Sequence, residues 1–210
     1  MSGQTNTDRR TERRQQTLAE IVDTAWVMVR EDGLAGLSMR DLGTRVGMKA
    51  QSLYSYFGSK HEIYDAMFLQ GYREFAVWMA AAVDDRPTPD VDPEAAVRRA
   101  IHAFVEFCTS DPVRYQLLFQ RTVPGFTPSP EAWAVAVELY EQMRHQVTSI
   151  GVHDQATFDL WTAVMTGITD QQISNDPGGD RWIRLVDRAV DMLLTDTRTH
   201  PDRTNESEQT

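Results

Sequence analysis

The sequence predicts an all-α protein, in which a compact group of three N-terminal helices precedes a larger helical domain. Apolar residues recur at helical spacing along most of the 210-residue chain, and no stretch of useful length alternates as a β-strand would. Glycine residues and Ser or Asp capping residues separate one periodic segment from the next. These two patterns together favour helices throughout.

The composition is that of a folded acidic protein. Hydrophobic residues make up 41% of the chain, and 21 basic residues stand against 31 acidic ones, a formal net charge of −10. No apolar run approaches the roughly 18 to 20 residues that cross a bilayer, and the polar start lacks the apolar centre of a signal peptide. We therefore expect a cytoplasmic protein, with its one cysteine, Cys108, as a small core residue.

The charge is unevenly distributed. Residues 1–60 hold nine basic and seven acidic residues, a net of +2, so the remainder has a net of −12. Both lysines, Lys49 and Lys60, fall in the aromatic stretch GMKAQSLYSYFGSKHEIY at residues 47–64. This asymmetry suggests a small module that binds a polyanion, attached to an acidic body.

The first core helix is predicted to run to about Arg30 and to end at Gly33, because glycine adopts the left-handed conformation of a helix C-terminus. Residues 1–12 are expected to form a disordered arm. The apolar stripe of this helix consists of Leu18, Ile21, Val22, Ala25, Trp26 and Val29.

A second helix is predicted from Ser38 to about Val46. Ser38 can cap it, Asp41 stands three residues later as in a capping box, and Gly47 permits the tight turn that follows. The third helix, within KAQSLYSYF, has an apolar inner face of Ala50, Leu53 and Phe57. The outer face is polar, aromatic and basic, and consists of Lys49, Gln51, Ser52, Ser55 and Tyr56, with Tyr54 at the margin.

Two short helices joined by a tight glycine turn and braced by a longer one form a helix-turn-helix, whose second short helix lies in the DNA major groove. A further capping box at Ser59 and Glu62 starts a fourth helix with Lys60 in its first turn. A lysine there opposes the positive end of the helix dipole. A bound phosphate would resolve this conflict, because backbone N–H groups and the ammonium can share one anion.

Residues 17–66 resemble the DNA-binding region of the TetR (tetracycline repressor) family. The matching residues are Ile21, Ala25, Gly33, Ser38, Arg40, Asp41, Leu42, Val46, Gly47, Leu53, Tyr54, Phe57 and Lys60. The sequence departs from the family at Gly43, where alanine is usual, at Lys49, where serine or threonine is usual, and at Tyr56, where histidine is common. Gly43 should weaken the second helix by roughly 0.5 to 1 kcal/mol relative to alanine. The resemblance implies an all-helical homodimer that binds a palindromic operator and responds to a small molecule.

The resemblance also implies roles for the outer face. Lys60 and the Tyr54 hydroxyl are expected to bind phosphates, as is Arg40 near the start of the second helix. The N-terminal arginines could follow the DNA backbone as an arm; they are Arg9, Arg10, Arg13 and Arg14. Base edges are expected to be contacted by Lys49, Gln51 and Ser52, with Tyr56 at a thymine methyl or a phosphate.

Beyond the helix-turn-helix domain at residues 13–58, we expect a helical ligand-binding and dimerisation domain at residues 59–195 and a disordered tail at residues 196–210. A charged, proline-rich loop is predicted at residues 84–93. The helices of this domain are predicted at about residues 59–83, 92–109, 111–120, 129–151, 154–174 and 180–194.

The last two helices have more apolar surface than a small domain readily buries. In TetR relatives this pair forms a four-helix bundle with its copy, and an ordinary intramolecular core is the alternative. The candidate dimer residues are Trp182, Leu185, Val186, Ala189 and Leu193.

Aromatic and apolar residues from five helices of this domain predict an effector site. They favour a largely apolar or aromatic effector, neutral or cationic, since this half is acidic and has no basic cluster. Packing within the core is the alternative for each of them. The candidates are Phe104, Phe107, Phe119, Trp133, Val137, Tyr140, Phe158, Trp161 and Met165.

Other classes of protein are less well supported. The pairs His102 with Glu106 and Glu141 with His145 could each offer two metal ligands, but no third ligand converges on them. A helical adaptor that binds only protein would leave both lysines unexplained. We therefore expect no metal, no cofactor and no enzyme activity, but a repressor that a small effector releases from a palindromic operator.

Overall fold

The computed structural model describes residues 4–84 and 92–199, and the regular structure in these ranges is helical, which confirms the all-α class. A 3₁₀ turn, Ile183–Leu185, precedes the last helix. Most of the predicted loop at residues 84–93, and the tail beyond residue 199, lie outside the described residues. The helices are α1 (Gln4–Gly36), α2 (Met39–Arg45), α3 (Ala50–Leu53), α4 (Lys60–Asp84), α5 (Pro93–Ser110), α6 (Pro112–Phe119), α7 (Pro130–Thr148), α8 (Gln155–Asn175) and α9 (Val186–Thr199).

Helix α1 is longer than the sequence predicts. It begins at Gln4, so residues 4–12 form its first turns instead of a disordered arm. Arg9, Arg10 and Glu12, near the end of this segment, are good helix formers and continue the helix backwards from its apolar stripe. At the other end Gly33, with φ 74°, interrupts the helical backbone as predicted.

The α2–α3 segment follows the predicted capping pattern. The Ser38 hydroxyl accepts a hydrogen bond from the Asp41 backbone N–H at 3.4 Å, and Gly47 has φ 74° in the turn after α2. Helix α3 is a single α-helical turn, shorter than predicted. The Leu53 carbonyl accepts from the N–H groups of Tyr56 and Phe57 at 2.9 and 3.0 Å, so a tight turn takes over from the helix.

Gly43 has a packing role that its helix propensity does not show. It is buried, and a Cβ atom at this position would lie 3.3 Å from the Met48 carbonyl oxygen and 3.6 Å from the Ala50 Cα. The N–H of Met48 donates to the Gly43 carbonyl at 2.7 Å. A glycine here therefore lets the chain that enters α3 approach α2 closely.

The chain forms two compact units, whose boundaries differ from those expected. The first unit comprises Met1–Tyr72 and Val113–Trp133. Helix α6 belongs to it because Leu117 lies in the helix-turn-helix core and the Tyr72 hydroxyl donates to the Leu118 carbonyl at 3.1 Å. The buried residues of that core include Ile21, Ala25, Leu42, Leu53, Ile63, Tyr64 and Met67.

The second unit comprises Arg73–Pro112 and Ala134–Thr210. In it α5 packs against α8 and α9 through buried apolar side chains. Charged groups join α5 to α9 at the surface: Arg98 pairs with Asp191, and the Arg198 guanidinium pairs with Glu94.

The start of α9 is later than the sequence predicts. The buried Gln172 side chain of α8 accepts hydrogen bonds from the backbone N–H groups of Trp182 and Ile183, at 2.9 and 3.3 Å. These bonds hold the preceding chain in a turn, so the 3₁₀ turn and α9 follow it. Helix α9 then continues to Thr199, four residues beyond the predicted end of the domain.

The cap of α8 gives a prediction about stability. The Asp154 carboxylate accepts from the Thr157 N–H at 2.8 Å, and hydrogen bonding to Thr157 lowers the pKa of Asp154. Asp154→Ala should therefore lower the free energy of unfolding by about 1 kcal/mol at pH 7. Because the folded-state pKa is lowered, this contribution is complete above the unfolded pKa, about 4, and is lost as the pH falls through the folded-state pKa. Urea denaturation at several pH values measures it.

Asp154→Asn is the matched control. Asparagine caps helices as well as aspartate does and does not titrate, so this variant should retain most of the stability at pH 7. Equal losses in both variants, or a cost of Asp154→Ala that stays constant down to pH 3, would contradict the capping role.

Candidate DNA-binding site

The outer face of α3 is exposed, and the inner face of the helix packs against the core. Leu53 and Phe57 are buried, whereas Tyr54 is 52% exposed. The residues predicted to contact bases, Lys49, Gln51 and Ser52, are also exposed. The local fold thus presents one cationic, one amide and one hydroxyl side chain next to each other on a short rigid element.

Arg40 and Tyr56 border this face. Arg40 is exposed in the first turn of α2. Tyr56 is half-buried, and the Arg14 guanidinium lies over its ring, 4.9 Å from the ring centroid. Arg14 also donates to the Ser55 carbonyl at 3.4 Å. Arg14 is therefore fixed against the chain after α3 and is not part of a mobile arm, while its neighbour among the predicted arm arginines, Arg13, is exposed on α1.

Lys60 has an intramolecular partner that the sequence does not reveal. Its ammonium donates to the Ala35 carbonyl at 3.1 Å and lies 5.4 Å from the centroid of the Tyr64 ring. Burial lowers the pKa of Lys60. These contacts offset the unfavourable position at the N-terminus of α4 without a bound phosphate. An ammonium has three N–H donors, so a phosphate contact remains chemically open to it.

The start of α4 is fixed by its cap and by Tyr64. The Ser59 hydroxyl accepts from the Glu62 N–H at 3.2 Å, and the Glu62 carboxylate accepts from the Gly58 N–H at 2.7 Å. The buried Tyr64 hydroxyl donates to the Leu34 carbonyl, and burial raises the pKa of Tyr64 to about 12. Through these bonds α4 holds the corner between α1 and α2.

A second candidate site is a cavity of about 580 Å³ in the first unit. It is bounded by α4, α6, the chain after α6 and the first turn of α7. Two residues predicted to bind the effector, Phe119 and Trp133, line it. The sequence reasoning missed Phe68, Tyr72 and Phe126, which also line it. The spacing of Phe68 and Tyr72, four residues apart on one helix face, was the available signal.

The other predicted effector residues belong to the second unit and do not line this cavity. The Phe107 and Phe104 rings pack against Phe75, with centroids 4.9 and 6.1 Å away. The Tyr140 ring meets Phe158 edge-on at 5.2 Å. Such contacts are typical of core packing. Trp161 and Met165 are buried, while Val137 and Tyr140 are 41% and 37% exposed.

Two of the predicted dimer residues face the interior of their own chain. Val186 is 0% exposed and Leu193 is also buried, because the stripe that α9 turns towards its own unit contains both. Trp182, Leu185 and Ala189 are partly exposed. The exposed large apolar residues of α8 and α9 are ones that the sequence reasoning missed, Leu160 at 43% and Met192 at 65%.

Metal-ligand groups and membrane-spanning helices were also sought in the described ranges. Within residues 4–84 and 92–199, no group of three or more His, Cys, Asp or Glu side chains is placed to hold a metal ion. His102, one member of a predicted pair of ligands, instead lies 3.0 Å from Asp187, and hydrogen bonding to His102 lowers the pKa of Asp187. None of the helices in the described ranges has the length and apolarity needed to cross a membrane.

The fold and the exposed face of α3 define a helix-turn-helix protein with an additional helical unit. Comparison of the sequence with protein families gives a match of residues 21–67 to the bacterial regulatory proteins of the tetR family. That segment contains α2, α3 and the parts of α1 and α4 that pack on them. The helix-turn-helix segment of the chain is therefore similar to that of the tetR family.

Individual proteins give a consistent comparison. The HTH-type transcriptional regulator Rv1816 of Mycobacterium tuberculosis is 28% identical over 127 residues, which are 60% of this chain and 53% of that protein. The chain therefore matches about half the length of this relative. Two solved structures share the fold. The putative regulatory protein SCO4313 has a TM-score of 0.69 and 22% identity, and the match covers 88% of this chain and 98% of that one. The TetR family transcriptional regulator PfmR from Thermus thermophilus has a TM-score of 0.59 and 20% identity, and the match covers 83% of this chain and 97% of that one.

The Tyr64 contact gives a prediction about the helix-turn-helix core. Tyr64→Phe keeps the ring but leaves the Leu34 carbonyl without the phenolic donor, which should lower the free energy of unfolding by about 1 to 3 kcal/mol. Tyr54→Phe, at an exposed tyrosine, should change it by less than about 0.5 kcal/mol. Urea denaturation of both variants makes the comparison, and equal effects would show that the buried hydroxyl does not stabilise this corner.

Proposed function

We propose that the protein is a sequence-specific transcriptional regulator that acts as a repressor and is released from a palindromic operator by a small, largely apolar or aromatic effector. The observation that supports this most directly is the outer face of α3, exposed on a buried core within a segment that matches the tetR family. The acidic body of the chain gives a reason for specificity, since it disfavours DNA binding elsewhere on the surface.

The exposed side chains of α3 have the chemistry that distinguishes bases. A lysine suits the O6 and N7 acceptors of guanine, and a glutamine suits N6 and N7 of adenine. We assign these roles to Lys49 and Gln51, with Ser52 as an adaptable neighbour. The short length of α3 restricts base contacts to these few residues.

Phosphate contacts would then position the protein on the duplex without selecting a sequence. Arg40, in the first turn of α2, and Tyr54, directly after α3, are both exposed. Tyr56 and Lys60 are half-buried and held by intramolecular contacts. A phosphate contact by either residue would therefore cost little side-chain conformational entropy.

Dimerisation would place two α3 helices on one duplex, as a palindrome requires. We propose that the exposed faces of α8 and α9 form the interface. On α8 this face contains Leu160 and Gly167, and open space surrounds Gly167. On α9 it contains Met192, with Leu185 and Ala189 partly exposed on the same helix or just before it. Val186 and Leu193 would act by supporting this surface from within.

The DNA-binding assignment predicts two kinds of loss. Gln51→Ala and Lys49→Ala should each cost about 1 to 3 kcal/mol of binding free energy on the operator and much less on unrelated duplexes. Arg40→Ala should weaken both kinds of duplex similarly and reduce the salt slope by about one unit. Fluorescence anisotropy on a selected operator and on its scrambled counterpart, at several salt concentrations, measures these effects.

Arg73→Gln is the control for net charge, since it removes an exposed arginine from the second unit. It should leave operator binding within about twofold, because Arg73 lies outside the unit that contains the α3 face and a solvated charge that makes no direct contact is largely screened by salt. If Lys49→Ala and Gln51→Ala weakened operator and scrambled DNA equally, the base-contacting assignment would be wrong.

The dimer assignment is tested by charging its exposed face. Met192→Glu and Leu160→Glu should produce monomers with weak operator binding, since a buried unpaired carboxylate is costly at an apolar interface. Val77→Glu is the matched control, because Val77 is 73% exposed on α4 and lies outside the proposed interface. Sedimentation velocity at micromolar concentration distinguishes the states. A monomeric wild type that still binds a palindrome tightly would refute the arrangement.

A further inference from the structure

The cavity in the first unit has walls suited to a flat ring system. The aromatic side chains that line it contact each other in stacked or tilted pairs. The Phe68 and Trp133 rings are 24° from parallel with centroids 6.4 Å apart, and the Tyr72 ring lies 5.6 Å from Phe119. At about 580 Å³ the space lies within the range of small-molecule sites, roughly 300 to 1,000 Å³.

The charge on the cavity lining is of one sign. Among the described residues that line the cavity no carboxylate occurs, and the one permanently charged group is the guanidinium of Arg121. Arg121 is exposed, so it stands where the cavity meets solvent. The Tyr72 hydroxyl is already committed to the Leu118 carbonyl. An apolar chamber with a guanidinium at its opening is complementary to a ligand with an aromatic body and an anionic end.

We propose that this cavity binds a small aromatic anion, with its rings packed against the Phe68, Trp133 and Tyr72 side chains and its carboxylate or sulfonate against Arg121. The inference rests on the proposed function insofar as such a ligand would be the effector. It replaces the expectation of a neutral or cationic effector, which followed from the net charge of the whole regulatory half. Arg121 gives the cavity lining a positive charge, whereas the net charge of −12 belongs to residues 61–210 taken together.

The position of the cavity connects it to the helix-turn-helix corner within the same unit. Phe126 lines the cavity, and its ring centroid lies 5.8 Å from that of Tyr64 and 6.2 Å from that of His61. Tyr64 in turn holds the Leu34 carbonyl at the end of α1. A ligand that moves the Phe126 ring would therefore act on the side chains that fix the start of α4.

Two matched fluorescent probes test the ligand class on the full-length protein. 1-Anilinonaphthalene-8-sulfonate is an aromatic anion, and N-phenyl-1-naphthylamine has the same rings without the sulfonate. The wild type should bind one anionic probe per chain, and Arg121→Gln should weaken that binding by about tenfold or more. Binding of the neutral probe should change by less than about twofold, because the substitution leaves the apolar walls intact.

Two further variants locate the site. Thr127→Trp adds bulk at an exposed lining position without removing a core side chain, and should abolish saturable binding of both probes. Arg181→Gln removes an exposed arginine from the second unit and should bind both probes as the wild type does. Thermal melting of each variant establishes that it is folded as the wild type is.

The possible results distinguish a failure of the cavity proposal from a failure of the proposed regulatory function. If Arg121→Gln left the affinity for the sulfonate unchanged, or if Thr127→Trp still bound both probes, the cavity proposal would be overturned. Operator release is measured in parallel with the anionic probe. Operator binding without probe binding would refute the cavity site alone, whereas probe binding at the cavity by a protein that binds no operator would refute the proposed function alone.

Discussion

The corner where α4 meets the end of α1 fixes the rest of the helix-turn-helix. Tyr64 and Lys60, one turn apart on α4, donate to the consecutive carbonyls of Leu34 and Ala35 just after the break at Gly33. Further along α4, Gln70 accepts from the Trp26 indole and donates to Asp23, so α1 and α4 are joined at two levels. Helices α2 and α3 are too short to be stable alone, and this pair of longer helices provides the core on which they pack.

Features that depend only on neighbouring residues could be predicted from the sequence. Ser38, Ser59 and Asp154 accept from backbone N–H groups three residues away, and Gly33 and Gly47 relieve strain at their own positions, so the sequence contains the whole interaction. The boundaries of α4, α5 and α8 and the inner face of α3 could be predicted for the same reason.

Other features depend on partners distant in sequence, and there the predictions were wrong or incomplete. The late start of α9 depends on Gln172, ten residues before the Trp182 backbone that it binds. The Lys60 ammonium bonds a carbonyl 25 residues earlier, so helix-dipole reasoning alone favoured a phosphate. Helical spacing marks Phe119 and Phe107 as equally apolar, but only the tertiary structure places one in a cavity and the other in a core. Net charge similarly describes a domain, whereas ligand choice depends on the few groups that line a site.

We propose that the α3 face recognises a specific palindromic DNA sequence. Selection of bound duplexes from a random library by the purified wild-type protein, followed by sequencing, tests this claim directly, because a random library contains every candidate operator. One inverted repeat should be enriched, with half-sites about one DNA turn, roughly 34 Å, or a multiple apart. Enrichment of no sequence over the starting library, at salt concentrations where non-specific binding is weak, would contradict the claim.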